Sequence, residues 1–153
     1  MIKEPSAIGL DAVVVTPVAA YFRSELVQNI YSGIWQTLRR IGIGPEIRSY
    51  LDTIKTMKVA PASISGVAHA TVVTGWDNTP RSGRRGLVLY GYNKEALSEA
   101  ITSALSHESQ NAIPLLFIKS WNEWAEGNFL EPKFREQWSA LQVLKATLAN
   151  YRS

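Results

Sequence analysis

The chain has 153 residues, enough for one domain with a sizeable core, and its 46% hydrophobic and 19% charged content excludes extended disorder. A surplus of basic over acidic residues leaves a formal charge of only +3, too little to argue for nucleic acid as a partner. The absence of cysteine excludes disulfides, thiolate metal ligands and a cysteine nucleophile, and fits a cytoplasmic chain.

Taken in chain order, Met1 to Leu10 includes Lys3, Glu4 and Pro5 and so lacks the apolar centre of a signal peptide. No later apolar run approaches the roughly 18 residues that span a bilayer. Asp11 to Thr16 holds Val13-Val14-Val15 and is closed by Pro17, which predicts a buried strand. Glu25 to Arg39 predicts a helix. Gly44-Pro45 marks a second helix start, with proline at the first helical position and Tyr50, Leu51 and Ile54 on the inner face. Val67 to Thr74 is a second strand, stopped by Gly75, and Gly86 to Tyr90 is a short strand or a loop returning to the scaffold. Asn93 caps a helix whose Leu97, Ile101, Ala104 and Leu105 recur at helical spacing. Leu115 to Ile118 is a third strand. A final helix follows Pro132, with Phe134, Trp138, Leu141, Leu148 and Tyr151 as its apolar face.

Strands alternating with helices predict an α/β fold with a parallel sheet. Three or four such units make about half of an eight-stranded barrel, and residues 1–153 read as one partial domain of that kind. A small complete α/β sandwich fits the same pattern. An open half-barrel leaves parallel edges and an uncovered core face. The barrel reading therefore implies a partner, either a missing N-terminal half or a second copy of the chain.

Two polar, aromatic-rich segments directly follow strands: Gly75-Trp76-Asp77-Asn78-Thr79-Pro80-Arg81 and Ser120-Trp121-Asn122-Glu123-Trp124-Ala125-Glu126-Gly127-Asn128. Loops at the carboxyl ends of parallel strands converge on the ligand crevice of α/β folds. Trp76, Trp121 and Trp124 offer faces for stacking on sugar rings, while Asp77, Asn78, Arg81 and Asn122 offer groups for hydroxyls. A lone tryptophan more often packs in a core and bonds its indole N–H locally. Three of them interleaved with carboxylates and amides favour a saccharide site. On a helical turn, the three-residue spacing of Glu123 and Glu126 would put both on one face. Paired carboxylates supply the acid and the base that glycosidic chemistry needs.

The remaining candidates read more plainly. Asp77-Asn78 also suits a turn, Glu131 suits the rim of the site or a cap for the last helix, and Arg81, Arg84 and Arg85 suit a solvated loop or an anion contact. His69 reads as a satisfied core residue and His107 as a surface residue at a helix end. Neither has a second histidine at metal-ligand spacing, and Gly42-Ile43-Gly44 is no dinucleotide fingerprint. No metal and no cofactor are expected.

The two segments, the second extended through Phe129-Leu130-Glu131-Pro132, resemble the signatures of the WbsX-type glycosyltransferase domain, a relative of glycoside hydrolase family 99, the endo-α-1,2-mannosidases. Ile8-Gly9-Leu10-Asp11-Ala12 and Pro17 resemble an upstream strand of that domain more loosely. The resemblance covers most of the chain but only the C-terminal half of a (β/α)₈ TIM-like barrel. It implies a carbohydrate-active enzyme, glycosyltransferase or glycoside hydrolase, acting on bacterial surface polysaccharide or lipopolysaccharide. It also implies that Glu123 deprotonates the sugar's own 2-hydroxyl and that Glu126 protonates the leaving oxygen. A second reading is a truncated, non-catalytic glycan-binding remnant of such an enzyme.

Overall fold

The computed structural model describes residues 9–15, 44–57, 67–133 and 139–152. The expected helix over Glu25 to Arg39 lies outside them, as do Pro17, Phe134 and Trp138. Five strands, β1 (Ala12–Val15), β2 (Glu46–Ser49), β3 (Val67–Val73), β4 (Leu87–Tyr90) and β5 (Phe117–Lys119), are interleaved with helices α1 (Tyr50–Met57), α2 (Thr79–Ser82) and α3 (Lys94–Glu108). A short antiparallel pair, β6 (Asn122–Glu123) and β7 (Asn128–Phe129), precedes the last helix, α4 (Ala140–Arg152).

The class is α/β with parallel pairing, as the sequence predicts. β3 is the central strand of a three-stranded sheet, with β1 along one edge and β5 along the other. Val67, Thr71, Val72 and Val73 make β3 rich in β-branched residues, which suits a strand flanked on both sides, and five of its seven residues are buried. β2 and β4 form a separate parallel pair. β4 is held beside the chain leaving β3, because the Leu89 N–H donates to the Trp76 carbonyl at 2.8 Å and Asp77 bridges Val88 in antiparallel fashion.

Gly44-Pro45 does not start a helix. The four residues that follow are extended and find ladder partners in β4, which outweighs the local proline cue, and α1 begins only at Tyr50. Ser49 caps it, its Oγ accepting the Asp52 N–H at 3.2 Å. The inner face of α1 is the expected one. Tyr50 and Ile54 are buried, Leu51 packs beside them, and the Tyr50 hydroxyl donates to the Val73 carbonyl at 2.6 Å. Burial pushes the Tyr50 phenol well above its ordinary range, so it acts only as a neutral donor. With Val72, Val73, Leu87, Leu89, Leu97 and Ile101, these residues form the core.

Asn93 caps α3 as its sequence predicts, with Oδ1 accepting the Ala96 N–H at 2.8 Å. β5 starts two residues later than expected. The Leu115 N–H is taken by a Glu108 carboxylate oxygen at 3.0 Å, so the chain joins the sheet only at Phe117. The last helix also departs from expectation: Ala140, Val143, Leu144 and Thr147 face inward, while Leu141 and Tyr151 are exposed. On this face Val143 and Leu144 pack against the core, and Thr147 Oγ1 lies 3.0 Å from Ser98 Oγ of the facing α3.

Glu108, only 1% exposed, ties this framework together. Its carboxylate accepts the Ala70 N–H at 2.6 Å, an Asn111 amide N–H at 3.1 Å and the Leu115 N–H, and it lies 2.8 Å from His69 Nδ1. Burial alone would raise its pKa. The hydrogen bonds from His69, Ala70, Asn111 and Leu115 outweigh that and hold the carboxyl below the ordinary range. His69 is therefore the satisfied core residue its context predicts. His107 is not the surface residue expected, since its Nε2 lies 3.1 Å from the Ala68 carbonyl and the ring is partly buried.

Candidate functional site

Because β3 and β5 are parallel neighbours, the segments that follow them leave from the same end of the sheet. They are joined from their first residues. The Thr74 N–H donates to the Lys119 carbonyl at 3.0 Å, and the Asp77 N–H donates to the Glu126 carbonyl at 2.8 Å. Two glycines permit this approach. Gly75 has φ +91°, and a Cβ there would stand 3.1 Å from the Gly127 carbonyl oxygen. Gly127 has φ +58°, and its Cβ would stand 3.1 Å from the Asp77 nitrogen.

Within the second segment, Ser120 organises the loop. Its Oγ accepts the Glu123 N–H at 3.1 Å and donates to the Asn128 carbonyl at 2.8 Å. Asn128 is fully buried, and its Oδ1 accepts the Thr74 hydroxyl at 3.0 Å, a second tie between the two segments. In the first segment, Asp77 Oδ1 accepts both the N–H and the hydroxyl of Thr79, and Asn78 Oδ1 accepts the Leu87 N–H at 2.7 Å. The Asp77 side chain thus performs the turn-forming work that its sequence also suggests, while that of Asn78 ties the segment to the start of β4.

The two glutamates do not share a helical face. Glu123 ends β6, and Glu126 ends a 3₁₀ turn (Trp124–Glu126) closed by the left-handed Gly127. Their surroundings differ accordingly. Glu123 is exposed, whereas the Glu126 side chain is only 16% exposed and sits between two cations. Lys119 Nζ lies 3.5 Å from Oε2, and Arg81 Nη1 lies 3.6 Å from Oε1. The same Lys119 ammonium stands 5.0 Å from the centroid of the Trp76 ring, within cation–π range.

The tryptophans divide in the same way. Trp76 is 8% exposed and belongs to the core, with its indole N–H lacking a hydrogen-bond acceptor. Trp121 and Trp124 are 54% and 53% exposed. Trp124 stacks on Phe129 with ring centroids 4.2 Å apart, and Lys133 Nζ lies 4.2 Å from the Phe129 ring. The stack braces one face of the Trp124 indole. Asn122 is exposed beside Glu123 on β6.

Sequence reasoning did not single out Lys119, Ser120, Asn128 or Phe129. The signal for Lys119 is a charged residue in the strand directly before the motif, where an apolar residue would be ordinary. Arg84 and Arg85 are exposed on a 3₁₀ turn beyond α2. Among the described residues, no group of three or more His, Asp or Glu is placed to hold a metal ion, and no helix is long and apolar enough to cross a membrane. A groove of about 900 Å³ between β3, α3 and α4 shares no residue with the two motif segments.

Comparison with known proteins bears directly on these two segments. The family described as Glycosyltransferase WbsX matches residues 1–144, a span that contains both of them. The chain belongs to the WbsX glycosyltransferase family. It is also similar to "Uncharacterized protein WxcX" of Xanthomonas campestris pv. campestris strain B100, at 28% identity over 157 aligned residues, covering 95% of this chain and 20% of that protein. A WxcX protein from a second strain of the same pathovar matches at 29% identity with the same coverage. The chain therefore spans about a fifth of the length of the curated relatives it matches. No solved structure matches it. In WbsX terms, the family match takes in Trp76, Arg81, Lys119, Glu123 and Glu126 alike.

Proposed function

We propose that this chain forms part of a carbohydrate-active enzyme of bacterial surface polysaccharide or lipopolysaccharide assembly, with the site built from residues 75–81 and 119–129. The observation that carries the reading is the junction of the two segments. The backbone bond from Asp77 to Glu126 brings Trp76, Arg81, Lys119 and Glu126 into one cluster, on a loop that also presents Trp121 and Trp124 to solvent. Family membership supports the choice of a saccharide as substrate.

In the reaction we favour, Glu123 takes the proton of the sugar's 2-hydroxyl as that oxygen attacks the anomeric carbon. The glycosidic bond breaks, Glu126 gives its proton to the leaving oxygen, and a 1,2-anhydro sugar results. Attack by water or by an acceptor hydroxyl, deprotonated by Glu126, then reopens the ring while Glu123 returns its proton to the 2-oxygen, giving hydrolysis or transfer. Trp121 and the braced Trp124 serve as stacking faces, and Asp77, Asn78 and Asn122 as groups for hydroxyls once the turn bonds of the first segment are met.

We place the described sheet in the C-terminal half of a (β/α)₈ barrel over residues 1–153, completed by the N-terminal half or by a second copy, and working in the cytoplasm. The test is turnover of α-linked oligosaccharides released from bacterial lipopolysaccharide, followed by mass spectrometry. Glu123→Gln and Glu126→Gln are each expected to reduce turnover about a hundredfold or more while saccharide binding persists. Wild-type rates in both variants would remove the mechanism. One observation favours a second reading, a non-catalytic glycan-binding remnant: Trp121 and Trp124 are exposed, while the Glu126 carboxylate is engaged by Lys119 and Arg81. That reading predicts quenching of tryptophan emission by the same oligosaccharides, with no turnover by the wild-type chain.

A further inference from the structure

We infer that Lys119 is a positioning residue for Glu126, holding its carboxylate in place through an ion pair while the core indole of Trp76 holds the ammonium. The inference rests on the reading of Glu126 as a working carboxylate.

Three observations converge on Lys119. It is the last residue of β5, where Val73 of β3 is its register partner, so its backbone is fixed by the sheet. Its carbonyl accepts the Thr74 N–H, which pins the strand end from which the motif departs. Its ammonium then makes two contacts at once, 3.5 Å to Glu126 Oε2 and 5.0 Å to the Trp76 ring. A lysine stem is flexible, and an exposed lysine ion pair contributes little because both side chains must be ordered to make it. Here the indole, itself packed in the core, restricts where the ammonium can stand.

The other charged groups about Glu126 make Lys119 the better anchor. Arg81 reaches Oε1 at 3.6 Å but is 66% exposed, against 36% for Lys119. Asp77 touches the Glu126 backbone through its N–H while its own carboxylate is engaged with Thr79. Glu123 lies three residues away on an exposed strand. Lys119 is thus the charged partner that links Glu126 to the folded core.

The inference is tested by NMR on the intact 153-residue chain, with the side chains of Lys119 and Glu126 assigned. The Lys119 ε-methylene protons are expected upfield of their ordinary position because of the Trp76 ring current, and to lose that displacement in Trp76→Leu. The two γ protons of Glu126 are expected to be distinct in the wild type, to merge into one averaged signal in Lys119→Met, and to separate again in Lys119→Arg. Backbone amide dispersion checks the fold. If Lys119→Met does not fold, Lys119→Gln against Lys119→Arg makes the same comparison. Glu126 γ protons unchanged by the loss of the ammonium overturn the inference. Failure of the enzymatic reading shows elsewhere, as Glu126→Gln turning over saccharide at the wild-type rate with Lys119 intact.

Discussion

Glu108 and Glu126 show how the same side chain takes different work from its surroundings. Glu108 is sealed in the fold and receives hydrogen bonds from β3, the turn after α3 and the approach to β5. Glu126 is partly open and meets two cations that solvent also reaches. Removing the Glu108 carboxylate leaves the Ala70 and Leu115 N–H groups without their acceptor, so Glu108→Ala is expected to cost about 3 kcal/mol in urea unfolding. The sign of its pH dependence follows from the lowered pKa. The unfolded chain, with a carboxyl near the ordinary value of about 4.3, takes up its proton first as pH falls. Stability from Glu108 is therefore complete above that value and is lost as pH drops through the lower folded value. Unfolding midpoints measured from pH 6 down to pH 3 should fall less steeply in Glu108→Gln than in the wild type. Parallel curves would show that Glu108 does not contribute in this way.

At the scale of elements, the features legible in the sequence are those set by local chemistry. The β-branched run of β3, the Asn93 cap of α3 and the apolar face of α1 all need only neighbours in the chain to declare themselves. What was not legible depends on partners far away in sequence. Glu46 to Ser49 is a strand because β4 pairs with it, and the inward face of α4 is the one that packs on the core and meets Ser98 of α3 at Thr147. The site divides in the same manner. Trp121, Glu123, Trp124 and Glu126 stand out by composition and spacing, and the family match covers them. Lys119, Ser120 and Asn128 do not, because their meaning lies in contacts to Glu126, Trp76 and Thr74. The E-x-x-E spacing even pointed to a helical turn, whereas the left-handed Gly127 and the pairing of β6 with β7 set a tighter one. The contact between Gly75 and Gly127 is the weak point of this arrangement. Gly127→Ala places a Cβ against the Asp77 nitrogen in a left-handed backbone, and is expected to cost about 2 kcal/mol in thermal unfolding. A wild-type melting temperature would show that the two segments do not need this close approach.

At the scale of the whole molecule, a three-stranded parallel sheet carries two loops at one end, and the helices pack so as to fix the strands that launch them. The scaffold fixes where the loops start, and the bonds between them fix how they meet. A saccharide reaching this end of the sheet encounters two exposed indoles and one guarded carboxylate. The most direct test follows the five indole N–H signals of the chain by ¹H–¹⁵N NMR during titration with α-linked oligosaccharides from bacterial lipopolysaccharide. The signals of Trp121 and Trp124, the exposed indoles of the second segment, are expected to move in a saturable manner. Signals of Trp121 and Trp124 that both stay in place throughout the titration would contradict a saccharide site on the segment Trp121 to Gly127.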